Sequence, residues 1–243
     1  MTVLAAAVCP HPPLLVPAVA AGAWPELEDV RIACVDVVRR LIDLAPAVVV
    51  VVGDAPLSID ADETAGGSFS EFGVDARVGA VEQDRPTLPL ALAVGAWLLD
   101  QAGWTGRRRY LGFADTTTGA AAAAVGASLV VGADPVSVLV MGDGSARRSV
   151  TAPGYLDSRA ALFDATAASA FATADASVLL SLDPGLAIEL LAAGRASWQV
   201  LGGLIDADTT SGRRDWTGDL IVDTAPYGVG YLVAIAFPEP AAV

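Results

Sequence analysis

Ala47-Val48-Val49-Val50-Val51-Val52-Gly53-Asp54 is the stretch on which the fold turns. Consecutive β-branched residues are stiff at χ1 and favour an extended backbone. A strand with no polar alternation has to be buried on both faces, as strands inside a helix-covered parallel sheet are. Other runs of this kind are Val3 to Val8, Val136 to Met141, and the terminal pair Asp219 to Asp223 and Tyr231 to Phe237. Only about seven residues, centred on Pro226-Tyr227-Gly228, separate that pair, which predicts an antiparallel hairpin.

Helix-period segments lie between these runs. From Pro25 onward, Leu27, Val30, Cys34, Val37, Leu41 and Leu44 recur at spacings of three and four. Acidic Glu26, Glu28 and Asp29 stand in the first turn and Arg39-Arg40 near the end, as the helix dipole favours, and Pro46 follows the stop. Further helices are expected at Leu88 to Gly103, Gly119 to Val131, Ser158 to Thr173 and Gly185 to Ala193. The uncharged, Ala- and Gly-rich Thr116 to Ala133 reads as a buried helix. The alternation predicts one α/β domain over residues 1–243, with a large, mostly parallel but mixed central sheet flanked by helices. Arg107-Arg108-Arg109 opens another strand and reads as a solvated edge that discourages pairing. Asp60 to Gly73 and Asp206 to Gly218 read as loop excursions, and no internal repeat or linker is evident.

Composition narrows the function classes. With 54% hydrophobic residues, 24 glycines and 15 prolines, the chain is neither disordered nor a coiled coil. The formal net charge is -14, the sequence pI about 4.2, and every one of the 14 basic residues is arginine. Such a surface repels phosphate backbones and anionic lipid, so neither nucleic acid nor membrane is an expected partner. A small ligand, a metal or another protein remains open. The mean hydropathy of +0.55 does not imply a membrane span. Pro10, Pro12, Pro13 and Pro17 interrupt the uncharged residues 2–25, and no arginine precedes Arg31 to form the basic region of a signal peptide. Two cysteines without an export signal suggest a cytoplasmic, reducing setting.

His11, the one histidine, follows the first strand within Cys9-Pro10-His11-Pro12-Pro13-Leu14-Leu15-Val16-Pro17. In open α/β sheets ligands bind beyond the carboxyl ends of strands, and the flanking prolines, Pro12 among them, would hold the imidazole on a stiff loop. A histidine satisfied within a proline-rich turn is the alternative. Asp54 and Asp143 follow the second strand and the Val136 to Met141 strand, each beside glycine. Ordinary Asp-Gly turn chemistry competes with a functional role, but parallel neighbours lie only about 4.8 Å apart, so the three loop tips can share a crevice. Gly142-Asp143-Gly144-Ser145 followed by Arg147-Arg148 suggests an anion cradle of backbone N–H groups and guanidinium. No Walker loop, dinucleotide-binding glycine motif, Cys-x-x-Cys pair or Gly-x-Ser-x-Gly elbow occurs, and nothing singles out a serine as partner to His11.

The opening Cys9 to Pro17 segment, the valine strand ending in Gly53-Asp54, the Met141 to Ser145 loop, Pro153-Gly154-Tyr155 through Phe163-Asp164, Gly194-Arg195 and Pro226 to Tyr231 together resemble the subunit-B (LigB-like) proteins of the class III extradiol ring-cleavage dioxygenases and their MEMO-type relatives. The resemblance runs through nearly the whole chain in consistent order. It implies a single α/β domain with a pocket at the strand ends, drawing on Pro12, Asp54, Arg147 and Tyr227. Catalytic members hold Fe(II) with two histidines and a carboxylate. The first histidine matches His11. The second is expected just after the second strand, where this chain reads Asp54-Ala55-Pro56. Ala146 stands where the Gly-Asp-x-Ser-His motif places the acid–base histidine, and Glu189 matches the carboxylate.

The resemblance therefore implies a degenerate site. His11, Asp143 and Ser145 are its candidate catalytic residues, and His11, Asp54 and Glu189 its residual metal ligands. One nitrogen and two carboxylates suit Mn²⁺, Mg²⁺ or weakly held Zn²⁺ better than an O₂-activating iron. Ring cleavage and a tightly held cofactor are not expected. Three readings follow: a pocket protein for a small ligand, an enzyme of altered chemistry built on His11 and the strand-end acids, or a homo-oligomer or partner subunit of another chain.

Overall fold

The computed structural model describes residues 2–79, 87–131 and 134–239. In chain order these form β1 (Thr2–Cys9), α1 (Pro17–Ala20), α2 (Glu28–Ile42), β2 (Val48–Asp54), β3 (Ile59–Asp62), β4 (Gly67–Ser68), β5 (Arg77–Val78), α3 (Leu90–Ala102) and β6 (Arg107–Phe113). Then come α4 (Gly119–Leu129), β7 (Pro135–Met141), α5 (Ala160–Thr173), α6 (Ala176–Leu180), α7 (Pro184–Glu189), α8 (Arg195–Thr210), β8 (Trp216–Thr224) and β9 (Tyr231–Pro238).

Seven strands make one mixed sheet in the order β3-β6-β2-β7-β1-β9-β8. Its centre, β6-β2-β7-β1, is parallel, and β3, β9 and β8 add to it antiparallel. The valine run divides between the two faces. Val50 and Val52 enter the core beneath α4, α5 and α8, whereas Val49 and Val51 enter the one beneath α2 and α3. Two-sided burial is what a strand without polar alternation requires. The expected mixed α/β domain is thus present, and the terminal hairpin pairs Trp216 with Pro238 through Thr224 with Tyr231.

Several expectations need correction. The Ala- and Gly-rich helix is α4, but only Ala122, Gly126 and Leu129 of it are buried, while Gly132 and Ala133 lie outside the described residues. Its small residues serve contact with α8: a Cβ on Gly126 would stand 2.0 Å from the Val200 carbonyl oxygen. Helix α8 itself was unexpected, and it carries Asp206 to Thr210, which had read as loop. Those polar residues stay ordered because buried Asp208 accepts from Trp216 Nε1 at 3.0 Å and pairs with Arg214 at 3.0 Å. The Asp60 to Gly73 segment supplies β3 and β4, so β6 is not an edge strand. Arg109 grips Asp60 of β3 through Nε at 2.9 Å and a terminal nitrogen at 2.7 Å, and Arg108 reaches Asp100 at 2.6 Å. No helix among the described residues is long and apolar enough to cross a membrane.

Candidate functional site

Strand β7 lies between β1 and β2, so the loops after all three emerge side by side. The Gly142 N–H donates to the Cys9 carbonyl at 2.9 Å, carrying the β1–β7 pairing one residue past the strands. Beyond it, the His11 backbone N–H donates to Asp143 Oδ1 at 2.7 Å. The imidazole Nδ1 stands 3.7 Å from the same oxygen, too far for a hydrogen bond, and this buried nitrogen has no other partner. Burial raises the Asp143 carboxyl above its ordinary value, against the lowering influence of His11. Asp54, at the end of β2, is likewise raised by burial; His11 opposes the shift, and Asp115 and Asp143 reinforce it. His11, Asp54 and Asp143 therefore converge at one rim of the sheet. Pro12 is buried, and its carbonyl accepts the Leu15 N–H at 3.0 Å, which stiffens the turn that carries His11.

The remaining sequence candidates are placed elsewhere. Ser145 is fully buried; its hydroxyl donates to the Leu190 carbonyl at 3.0 Å and accepts the Arg147 N–H at 3.1 Å, so it braces the loop. Most donors of the expected anion cradle are already used within the loop. The N–H groups of Gly144, Ala146 and Arg148 go to the carbonyls of Gly230, Leu190 and Gly228, and that of Ser145 goes to Asp164 Oδ1 at 2.7 Å. The Arg148 guanidinium is taken by Asp164 at 2.9 Å. Arg147 packs beside Gly154 with its Nε buried and unpartnered, away from the cavity described below. The Tyr227 hydroxyl donates to Glu26 at 2.7 Å and does not line that cavity either. Glu189, at the exposed end of α7, pairs with Arg159 at 2.7 Å. Among the described residues no group of three or more His, Cys, Asp or Glu side chains is placed to hold a metal, so His11, Asp54 and Glu189 do not form a ligand set.

A cavity of about 280 Å³ opens beside Asp54. Asp54, Asp115 and Arg195 supply its polar lining; Ile188, Leu191 and alanines 187, 192, 193 and 196 supply an apolar wall from α7 and the start of α8. A larger space of about 410 Å³ lies at the opposite, amino-terminal ends of β2, β6 and β7, but the Arg109–Asp60 pair occupies its lining. Gly142 and Gly194 make the site's close packing feasible: a Cβ on Gly142 would stand 2.6 Å from the Gly194 Cα, and one on Gly194 would stand 2.3 Å from the Trp198 ring.

Arg195 is the residue that sequence reasoning gave no role. It is 2% exposed and donates to the carbonyls of Thr117, at 2.5 Å, and Asp115, and to Gln199 Oε1 at 3.0 Å. Burial lowers its pKa, while Asp115, Asp183 and Asp54 oppose that at longer range. Its signal was a single charge in the otherwise uncharged residues 190–205. Two alanines stand where histidines were expected. Ala55 is 3% exposed, with its methyl group over Gly112 of β6, and the Ala146 N–H is bound to the Leu190 carbonyl.

No family model matches the sequence, and no curated protein matches it. Among solved structures, the chain is similar to the uncharacterized protein JW3007 from Escherichia coli K12, with a TM-score of 0.53 at 12% identity. The match covers 96% of this chain and 99% of that one. What the two share is the fold.

Proposed function

We propose that this chain is a divergent relative of the class III extradiol dioxygenase subunit-B proteins that no longer cleaves rings and keeps its strand-end cavity for a small ligand. The observation that carries the reading is the side-chain set at the rim. His11 and Asp54 remain together, Ala55 and Ala146 replace the other imidazoles, and Glu189 is turned into an ion pair with Arg159. A single imidazole beside carboxylates does not fit an iron that needs two histidines and a carboxylate, so no step through iron is derived. An alanine at 146 offers no proton to a catechol, a loss worth about 10²- to 10⁴-fold in rate.

Two free, buried cysteines suit a reducing compartment, which supports a cytoplasmic setting. The charge of -14 favours a small-molecule partner over nucleic acid or anionic lipid. A second reading, metal-free acid–base chemistry, draws on the convergence of His11, Asp54 and Asp143 at the rim.

The test is metal analysis of freshly purified protein reconstituted anaerobically with Fe(II), followed by oxygen uptake with a catechol. Substoichiometric iron and no ring-opened product are expected. One tightly held iron per chain with ring cleavage would overturn the proposal.

A further inference from the structure

Resting on the reading of the strand-end cavity as a ligand site, we infer that the cavity takes a small monocationic ligand, a primary or secondary ammonium on an apolar body. The ammonium sits at Asp54 and Asp115, and the apolar body lies against Ile188, Leu191 and Ala192.

The first argument is charge balance. Asp54, Asp115 and Arg195 line the cavity, two negative charges against one positive. Neither aspartate forms an ion pair among the described residues, and Arg195 spends its donors on carbonyls and Gln199. The guanidinium thus offsets one carboxylate through space, and one negative charge is left facing the cavity. Burial disfavours the ionised form of Asp54; His11 opposes that shift, and Asp115 and Asp143 add to it. A bound cation would relieve that cost; a bound anion would add to it.

The second argument is the chemistry of the walls. A metal ion needs more donors than two carboxylates, and the remaining side chains of the lining are the cationic Arg195 and Ile, Leu and Ala, which offer none. An anion would have to be held by Arg195, whose Nη1 is taken by the Thr117 carbonyl and Gln199, whose Nη2 already binds the Asp115 carbonyl and whose Nε is buried. A quaternary ammonium is normally held by aromatic faces, and no aromatic residue lines this cavity. Carboxylates instead accept charge-assisted hydrogen bonds, which primary and secondary ammoniums donate and quaternary ones do not. The chain's charge of -14 also favours the approach of cations over anions.

Isothermal titration calorimetry on the full chain tests this with cyclohexylmethylammonium, its neutral isostere cyclohexylmethanol, and cyclohexanecarboxylate. The ammonium should bind about ten- to a hundred-fold tighter than the alcohol, and the carboxylate weakest. Asp54→Asn and Asp115→Asn should each remove most of the advantage of the ammonium. Ala192→Trp, which fills the cavity, should abolish binding. Ile188→Lys, at a position 47% exposed and tolerant of change, should weaken the ammonium selectively even if the tryptophan variant misfolds. If the alcohol or carboxylate binds as well as the ammonium, and Ala192→Trp or Ile188→Lys still alters binding, the cavity is a ligand site and the cationic assignment is overturned. If none of the probes binds, or neither variant changes binding, the ligand-site reading falls with it.

Discussion

The backbone N–H of His11 and the carboxylate of Asp143 meet at 2.7 Å across the ends of β1 and β7, while the His11 ring nitrogen stays 3.7 Å from the same oxygen. Asp143 thus works first as a backbone anchor for the turn that presents His11. Replacing it with alanine leaves a part-buried N–H without an acceptor, which costs about 1–3 kcal/mol. Asparagine retains the acceptor oxygen and removes the burial-disfavoured charge. Urea denaturation should therefore show a lower midpoint for Asp143→Ala and a midpoint at or above that of the parent for Asp143→Asn. Equal losses in both variants would mean that the carboxylate charge, and not the acceptor, holds the turn.

Asp54 carries an opposite expectation for stability and function. Its carboxyl faces His11, Asp115, Asp143 and Arg195, and its pKa is raised, with burial the largest cause. A raised carboxylate holds its proton more tightly in the folded chain than in the unfolded one, so its ionisation lowers stability as pH rises through and above the ordinary aspartate value of 3.8. Asp54→Asn should accordingly be more stable than the parent at neutral pH, with the gain vanishing as the pH falls below that ordinary value. Thermal melts of both proteins across the pH range give the comparison. A variant less stable than the parent at pH 7 would show that the ionised carboxylate is a structural group.

The fold was legible where burial is a local property. An unbroken valine run has one low-energy environment, and its flanking glycine and aspartate place themselves at the strand end. The meeting of His11, Asp54 and Asp143 follows from that alone once β7 lies between β1 and β2. Contacts made across long sequence separations were not legible. Ser145 was a catalytic candidate through its place in the Gly-Asp-x-Ser motif; its acceptor, Leu190, lies 45 residues on. Glu189 looked like a ligand until Arg159, 30 residues earlier, was placed beside it. The carbonyls that hold Arg195 come from the loop after β6, 78 and 80 residues away. Helix α8 was not expected either, and it carries Gly202-Gly203; in the fold, a Cβ on Gly203 would stand 2.3 Å from the Ala123 carbonyl oxygen.

Asp164 is the acid that organises the loop after β7. It is fully buried, accepts the Ser145 N–H at 2.7 Å and pairs with Arg148 at 2.9 Å, and Gly144 and Gly230 leave room for its oxygens. Removing one partner of a buried pair costs about 3–5 kcal/mol, because the other charge and the N–H lose their match. Asp164→Ala should lower the melting temperature sharply. Ser145→Ala, which loses one hydroxyl hydrogen bond in each direction, should cost about 1–2 kcal/mol and leave the affinity for cyclohexylmethylammonium unchanged. A specific loss of ligand binding in folded Ser145→Ala would return the serine to the functional site.

Gly126 and Gly203 let α4 and α8 approach until backbone meets backbone. Alanine at an exposed helix position normally gains about 1 kcal/mol over glycine. At Gly126 the added methyl group would meet the Val200 carbonyl oxygen at 2.0 Å and the Leu204 nitrogen at 2.6 Å, both backbone atoms that no side-chain rotation can clear. The helices would have to separate, at a cost typical of overpacking, about 1–3 kcal/mol, which exceeds the propensity gain. Gly126→Ala should therefore destabilise the chain, whereas Ala124→Gly, at an exposed position of the same helix, should cost only about the propensity difference. Chemical denaturation of the two variants ranks the effects. The close α4–α8 contact would be refuted by a Gly126→Ala variant more stable than the parent.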